Sequence, residues 1–270
     1  MLTLLLILAA AETGVVAEPP ATLAKGASYV ALGSSFAAGP GIATQLGNCG
    51  RSDQNYPHLV AAALELTLTD VSCSGATTGN ILDTPQGSAA PQLAAVGADT
   101  ALVTVTIGGN DITYSASTIQ CGGAAADDRC AAKLDHARIA ALVAQLPDRL
   151  AAVLEAIRGR APNAVIVMVT YPRVVPAAAE RCAGVGLTAD DADYFATLGQ
   201  QLEDAMVGAA NAKQALVADT YVLGKGHGPC ADAGDRWVNG AVPAASGAPF
   251  HPTASGHQEM ARLVLAALGH

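Results

Sequence analysis

Five short apolar runs, rich in β-branched residues, recur along the chain and predict its strands. They occupy 28–32, 67–71, 101–107, 164–170 and 215–218, and the second is the weakest of them. Most of these runs are apolar at successive positions instead of alternate ones. That pattern is typical of strands in a parallel sheet covered by helices on both faces.

Helical periodicity fills the stretches between the later runs. Apolar side chains recur at intervals of three and four residues from 150 to 157. We interpret Pro147 as a first-turn residue of this helix and Gly159 as its stop. Two further helices are predicted at 191–210 and 253–268.

The alternation of strand and helix predicts the fold class. We expect a single doubly wound α/β domain over 28–270, with a parallel five-stranded sheet between helices. The flavodoxin-like strand order 2-1-3-4-5 is the arrangement that we assume for this sheet. No repeat, linker or second domain interrupts the pattern.

The first residues differ from the rest of the chain. Residues 2–11 form an apolar run that is too short to span a bilayer, and Val15-Val16-Ala17 places small residues at −3 and −1 of a cleavage site. We therefore predict a signal peptide over 1–17, an N-terminal tail over 18–27, and export across the bacterial membrane. Once the signal is cleaved, no stable membrane anchor is expected. A buried N-terminal helix is the alternative interpretation.

The amino-acid composition of the chain indicates which kinds of molecule it can bind. Hydrophobic residues make up 51% of the 270 residues and charged residues 14%, which permits a large core. The formal net charge of −9 argues against a nucleic-acid partner, because few cations are present to neutralise phosphates. We interpret this charge as an aid to solubility, and we expect a monomer.

The six cysteines are consistent with an exported protein. Their even number and the absence of a CxxC pair favour disulfides over a metal or redox motif. Many connectivities are possible for this number of thiols. The spacing favours nearest-neighbour pairs, which are Cys49–Cys73, Cys121–Cys130 and Cys182–Cys230.

Three polar turns follow the first three predicted strands. In an open parallel sheet the ligand lies at the carboxyl ends of the strands, where the strand order reverses. In the assumed order the second and third strands both flank the first, so the segments after them share one crevice. These segments are Gly-Ser-Ser at 33–35, Cys-Ser-Gly-Ala at 73–76 and Gly-Gly-Asn-Asp at 108–111.

The residues of this crevice suit nucleophilic catalysis. Ser35 follows a strand and begins a helix, where its hydroxyl is exposed and its backbone N–H is unpaired. Gly75 allows a substrate to approach its N–H, and Asn110 adds a neutral amide donor. Taken singly, each segment also fits an ordinary turn. Their order along the chain favours a shared site with an oxyanion hole.

A serine nucleophile needs a base, and His251 is the best candidate. It lies on a loop directly before Pro252, so a rigid backbone positions its ring. His257 falls within the following helix, and we interpret it as structural or surface-exposed. The other four histidines lie in surface-like or terminal settings.

Four blocks in this order resemble those of the SGNH, or GDSL-like, hydrolases. They are GSSFAAG, SCSGATT, TIGGND and FHPTASGH, at 33–39, 72–78, 106–111 and 250–257. The resemblance runs from Tyr29 nearly to the C-terminus, and secreted actinobacterial lipases and esterases with three disulfides are the most similar group.

This resemblance implies a serine ester hydrolase that acts on a small-molecule or lipid ester without metal or cofactor. Ser35 would be the nucleophile and His251 the base. The oxyanion hole would consist of the Ser35 and Gly75 N–H groups and the Asn110 side chain.

Two positions depart from the family pattern. Ser34 stands where the first block usually has a non-catalytic Asp, and Ala248 stands where the last block often has the Asp that orients the histidine. We therefore expect a Ser–His dyad, with the backbone carbonyl of Ala248 orienting His251.

Other functions are less well supported. The α/β-hydrolase fold would need a G-x-S-x-G motif in the middle of the sequence, and nucleotide binding a G-x-G-x-x-G or P-loop motif; none of these is present. A catalytically silent envelope protein and an acyltransferase that uses the same acyl-enzyme remain open. With three Phe and one Trp, the composition favours an apolar acyl pocket over a sugar-stacking platform.

Overall fold

The computed structural model describes residues 23–123, 129–243 and 245–270. The predicted signal peptide and the first five residues of the predicted tail lie outside these ranges.

The strands are β1 (Ser28–Gly33), β2 (Gln45–Leu46), β3 (Arg51–Ser52), β4 (Thr67–Asp70), β5 (Thr100–Thr106), β6 (Val165–Val169) and β7 (Leu216–Ala218).

Helices separate these strands. The α-helices are α1 (Ser35–Ala38), α2 (Tyr56–Leu64), α3 (Thr78–Leu82), α4 (Tyr114–Gly122), α5 (His136–Arg160), α6 (Ala189–Ala212), α7 (Thr220–Leu223) and α8 (Ala254–Ala267). Short 3₁₀ helices lie at Gln92–Ala95, Cys130–Lys133, Ala178–Glu180 and Ala183–Val185.

The main sheet has five parallel strands in the order β4-β1-β5-β6-β7, and β2 and β3 form a separate two-stranded hairpin. In chain order the five are the second, first, third, fourth and fifth strands of the sheet, so the predicted order 2-1-3-4-5 is confirmed. Val30 of β1 pairs with Thr69 on one side and with Val103 on the other. The carboxyl ends of β4, β1 and β5 therefore lie side by side, as the crevice hypothesis requires.

Each face of the sheet is covered by a pair of helices. Val30 and Leu32 of β1 point into a core that contains apolar residues of α5 and α6. The alternate residues, Tyr29 and Ala31, point into a core formed with α2 and α8. Burial of both strand faces explains why the strand runs are apolar at successive positions.

The prediction that Pro147 begins a helix is wrong. Helix α5 starts eleven residues earlier, where the Asp135 side chain accepts a hydrogen bond from the Arg138 N–H at 3.0 Å. Ile139 and Leu146 are buried and extend the apolar stripe to the N-terminal side of Pro147. Their packing offsets the main-chain hydrogen bond that proline removes, and the ring is exposed to solvent. Gly159 lies within the last turn of α5 and does not stop the helix.

Other predicted elements are confirmed. The helices predicted at 191–210 and 253–268 are α6 and α8, and Thr253 is the N-cap of α8. Disulfides join Cys49 to Cys73, Cys121 to Cys130 and Cys182 to Cys230, the nearest-neighbour pairing. Among the described residues, no helix combines the length and apolar character needed to cross a membrane.

Candidate active site

A tight turn after β1 presents Ser35 at the carboxyl edge of the sheet. A side chain at Gly33 would place its Cβ 2.5 Å from the Thr106 carbonyl oxygen, so only glycine fits between the strands. The Gln92 side chain accepts from the Gly33 N–H at 2.8 Å and donates to its carbonyl at 2.9 Å. These contacts position the strand end, and Ser35 follows as the first residue of α1.

The structure brings Ser35 and His251 into direct contact. Ser35 Oγ lies 2.7 Å from His251 Nε2, although the residues are 216 positions apart in the sequence. Each residue is 5% exposed. The Phe36 ring packs against the imidazole with a centroid distance of 4.7 Å, which holds the ring beside the serine.

The loop that carries His251 is fastened to a neighbouring extended segment. The Asn239 N–H donates to the His251 carbonyl at 3.0 Å, and the Phe250 N–H donates to Gly240 at 3.2 Å. On the other side of the loop, the Ala248 N–H donates to the Pro40 carbonyl at 3.0 Å. The loop is therefore anchored both to the segment that precedes it and to the segment that follows α1.

The carbonyl that contacts His251 Nδ1 belongs to Pro249, so the expectation of Ala248 is wrong. The Pro249 oxygen lies 2.7 Å from Nδ1. The Ala248 carbonyl instead closes a turn by accepting from the His251 N–H at 3.2 Å. Phe250 within this turn has φ of +54°, and the resulting bend directs the Pro249 carbonyl towards the ring.

This contact determines which nitrogen of His251 carries the proton. A carbonyl oxygen can only accept, so Nδ1 must be the donor and Nε2 is free to accept from Ser35. Burial lowers the pKa of His251, and the hydrogen bond to Pro249 opposes that shift in part. The ring is therefore neutral at pH 7, which is the form that a general base requires.

The three candidate oxyanion donors lie on segments that contact one another. The Cys73 N–H donates to the Gly33 carbonyl at 3.0 Å, and Asn110 Nδ2 donates to the Ala76 carbonyl at 2.9 Å. One amide hydrogen of Asn110 remains for another acceptor. Gly75 is exposed, with φ of +84°. Within the described part of the protein, the Ser35 and Gly75 N–H groups have no acceptor.

The sequence pattern assigned no role to two residues of this region, Tyr171 and Asp111. The Tyr171 hydroxyl lies 2.8 Å from Ser34 Oγ and accepts from the Gly109 N–H at 3.3 Å. Its position two residues after the end of β6 was the available signal. Asp111 belongs to the Gly-Gly-Asn-Asp segment, and its buried carboxylate accepts hydrogen bonds from Thr78.

A cavity of about 520 Å³ opens beside Asn110, between α3 and α5. Leu82 and Ala152 supply apolar lining, and Arg149 lies at the same wall. This volume is within the range of small-molecule sites.

The chain is similar to known proteins over most of its length. Residues 31–259 match the model of the GDSL-like lipase/acylhydrolase family. Lipase 2 of Streptomyces coelicolor is 34% identical over 267 residues, covering 93% of this chain and 88% of that protein. A lipase of Streptomyces rimosus is 33% identical over 265 residues, covering 95% and 92%.

Solved structures show the same fold. The crystal structure of an extracellular lipase from Streptomyces rimosus superposes with a TM-score of 0.74 at 30% identity, over 89% of this chain and 99% of that one. Phospholipase A1 from Streptomyces albidoflavus superposes with a TM-score of 0.73 at 27% identity, over 90% and 99%. The chain thus belongs to the GDSL-like lipase/acylhydrolase family of ester hydrolases.

Proposed function

We propose that this protein is a secreted esterase or lipase that cleaves carboxylic esters through an acyl-enzyme on Ser35. The observation that carries the proposal is the 2.7 Å contact between Ser35 Oγ and the base-competent nitrogen of His251. A serine hydroxyl is a weak nucleophile until an adjacent base accepts its proton.

The steps follow from the positions of these groups. His251 Nε2 takes the proton from Ser35 Oγ as the oxygen attacks the ester carbonyl carbon. The negative charge that develops on the carbonyl oxygen is stabilised by the Ser35 and Gly75 N–H groups and the Asn110 amide. His251 then gives the proton to the leaving alcohol. Water next attacks the acyl carbon on Ser35 while His251 Nε2 takes a proton from it, and His251 returns that proton to Ser35 Oγ as the acid leaves.

Lipid esters are the proposed substrate class. The relatives named above are lipases and a phospholipase A1. In the cavity beside Asn110, an acyl chain would contact the apolar side chains of Leu82 and Ala152 along one part of the wall, with Asp148 and Arg149 at another part. Export is proposed because three disulfides persist in oxidising compartments and because residues 1–17 have the pattern of a signal peptide.

Covalent labelling tests the mechanism. A fluorophosphonate should modify Ser35 alone, as peptide mass mapping would show, and ester hydrolysis should fall with the fraction labelled. Ser35→Ala should remove both the label and the activity. Labelling at Ser34 or Ser74 would contradict the assignment.

Adding alcohol acceptors to the assay separates hydrolysis from acyl transfer, since a transferase would form a new ester instead of the free acid.

A further inference from the structure

One buried carboxylate ties together the two loops that carry the Gly75 and Asn110 donors. Asp111 follows Asn110 directly and is 7% exposed. Its Oδ1 accepts from the Thr78 hydroxyl at 2.5 Å, and its Oδ2 accepts from the Thr78 N–H at 3.0 Å. Both donors belong to one residue, three positions after Gly75.

The same two loops are joined at a second point. Asn110 Nδ2 donates to the Ala76 carbonyl, so consecutive residues of one loop hold both ends of the segment 76–78. On its other side, Gly75 follows Ser74, whose N–H donates to the Cys49 carbonyl at 2.9 Å. Gly75 therefore lies between Ser74, which is bonded to Cys49, and the segment 76–78, whose near end is held by Asn110 and whose far end is held by Asp111.

The negative charge of Asp111 does not itself favour binding of an oxyanion, which indicates that its role is to position other groups. A carboxylate next to Asn110 disfavours negative charge on a substrate oxygen bound to that amide. Arg149 Nη1, 3.7 Å from Oδ1, offsets this repulsion only in part, because the arginine side chain is 39% exposed. Burial raises the pKa of Asp111, whereas the bonds from Thr78 and the charge of Arg149 favour its ionised form.

We propose that Asp111 is a positioning residue: its bonds to Thr78 set the separation between the Gly75 N–H and the Asn110 amide. The inference rests on the proposed function, because it assumes that these two groups bind the oxyanion. A displacement of reacting or stabilising groups by about 1 Å can lower the rate a hundredfold.

Asp111→Asn tests the proposal, since the amide keeps the shape but replaces one of the two acceptor oxygens with NH₂, so the two hydrogen bonds that Thr78 donates cannot both persist. We expect kcat to fall by about ten- to a hundredfold with KM nearly unchanged. Affinity for a boronic acid that mimics the tetrahedral intermediate should fall by a similar factor. Asp83→Asn is the matched control, because Asp83 is an exposed acid at the end of α3 and its loss changes the net charge equally.

A second pair of variants tests the same contact from the side of Thr78 and leaves Asp111 unchanged. Thr78→Val loses the hydroxyl donor and should lower kcat, whereas Thr78→Ser keeps both donors and should retain it. Rates are expressed per active site, counted by fluorophosphonate titration, so a smaller folded fraction does not imitate the effect. Wild-type kcat per site in both Asp111→Asn and Thr78→Val, or a rise in kcat, would overturn the inference. The proposed function fails separately, if Ser35→Ala remains active.

Discussion

His251 has a backbone carbonyl at Nδ1, where many serine hydrolases have a carboxylate. The Pro249 oxygen fixes the tautomer by accepting from Nδ1. A neutral carbonyl stabilises the imidazolium that forms during attack less than a carboxylate would. In the proposed mechanism, the orientation of the imidazole therefore depends more strongly on the burial of the ring and on its packing against Phe36.

Late acidic residues should consequently be dispensable for the chemistry. We expect Asp219→Asn, Asp232→Asn and Asp235→Asn to retain kcat within a few-fold. Asp219 accepts from the Val222 N–H at 2.8 Å as the N-cap of α7. Asparagine caps a helix about as well as aspartate, so Asp219→Asn should also keep its stability, whereas Asp219→Ala should lose about 1 kcal/mol. Steady-state kinetics and denaturant unfolding measure the two effects. A loss of about 10⁴ in kcat, as for a triad aspartate, would reveal a displaced acid and contradict the dyad.

At the scale of elements, two of the three disulfides, Cys49–Cys73 and Cys182–Cys230, close loops of different length in different parts of the fold. Cys49–Cys73 joins the loop before β3 to the segment that leads into Gly75, and it closes 24 residues. Cys182–Cys230 joins segments that follow β6 and β7, and it closes 48 residues. The chain-entropy model assigns the larger stabilisation to the longer loop. The shorter loop lies nearer the proposed oxyanion hole.

The two disulfides should therefore separate stability from catalysis. We expect the Cys182→Ser/Cys230→Ser variant to show the larger fall in melting temperature. The Cys49→Ser/Cys73→Ser variant should show the larger fall in kcat per titrated site, because the N-terminal side of the Gly75 segment is released. Each removal typically costs about 2–5 kcal/mol. Calorimetry and active-site titration test this, and an equal loss of kcat in both variants would contradict it.

For the whole molecule, a buried histidine joins the two helices that cover one face of the sheet. His257 of α8 is fully buried, and its Nδ1 accepts from the Tyr56 N–H of α2 at 3.1 Å. Burial, together with the nearby His251, lowers the pKa of His257 to about 3. The folded protein therefore keeps this ring neutral at pH values where the unfolded protein protonates it.

This difference predicts a loss of stability in acid. Above pH of about 6.5 the ring is neutral in both states and contributes no pH dependence. As the pH falls towards 3, the unfolded state binds the proton first, so His257 alone should cost about 3 kcal/mol by pH 4. His257→Asn keeps an acceptor for the Tyr56 N–H but does not titrate. Its unfolding free energy, measured by urea titration, should decline less steeply from pH 6.5 to 4; an equal decline would contradict the prediction.

Much of the architecture was predictable from the sequence because it depends on local patterns. Apolar runs mark strands buried on both faces. The order 2-1-3-4-5, which we assumed by analogy with flavodoxin-like folds, is the order that the sheet has. The four motif blocks predicted that Ser35 and His251 share one site, and their side chains lie 2.7 Å apart. The spacing of the cysteines favoured nearest-neighbour pairs, and these are the three pairs that form.

Other features depend on contacts between segments far apart in the sequence, and only the tertiary structure decided them. Pro147 lies inside α5 because the burial of Ile139 and Leu146 outweighs the local penalty of proline. Pro249 rather than Ala248 faces His251, because a turn with positive φ at Phe250 closes on the Ala248 carbonyl. The local pattern of a sequence reports which side chains are buried, whereas the partner of a polar atom depends on where distant loops meet.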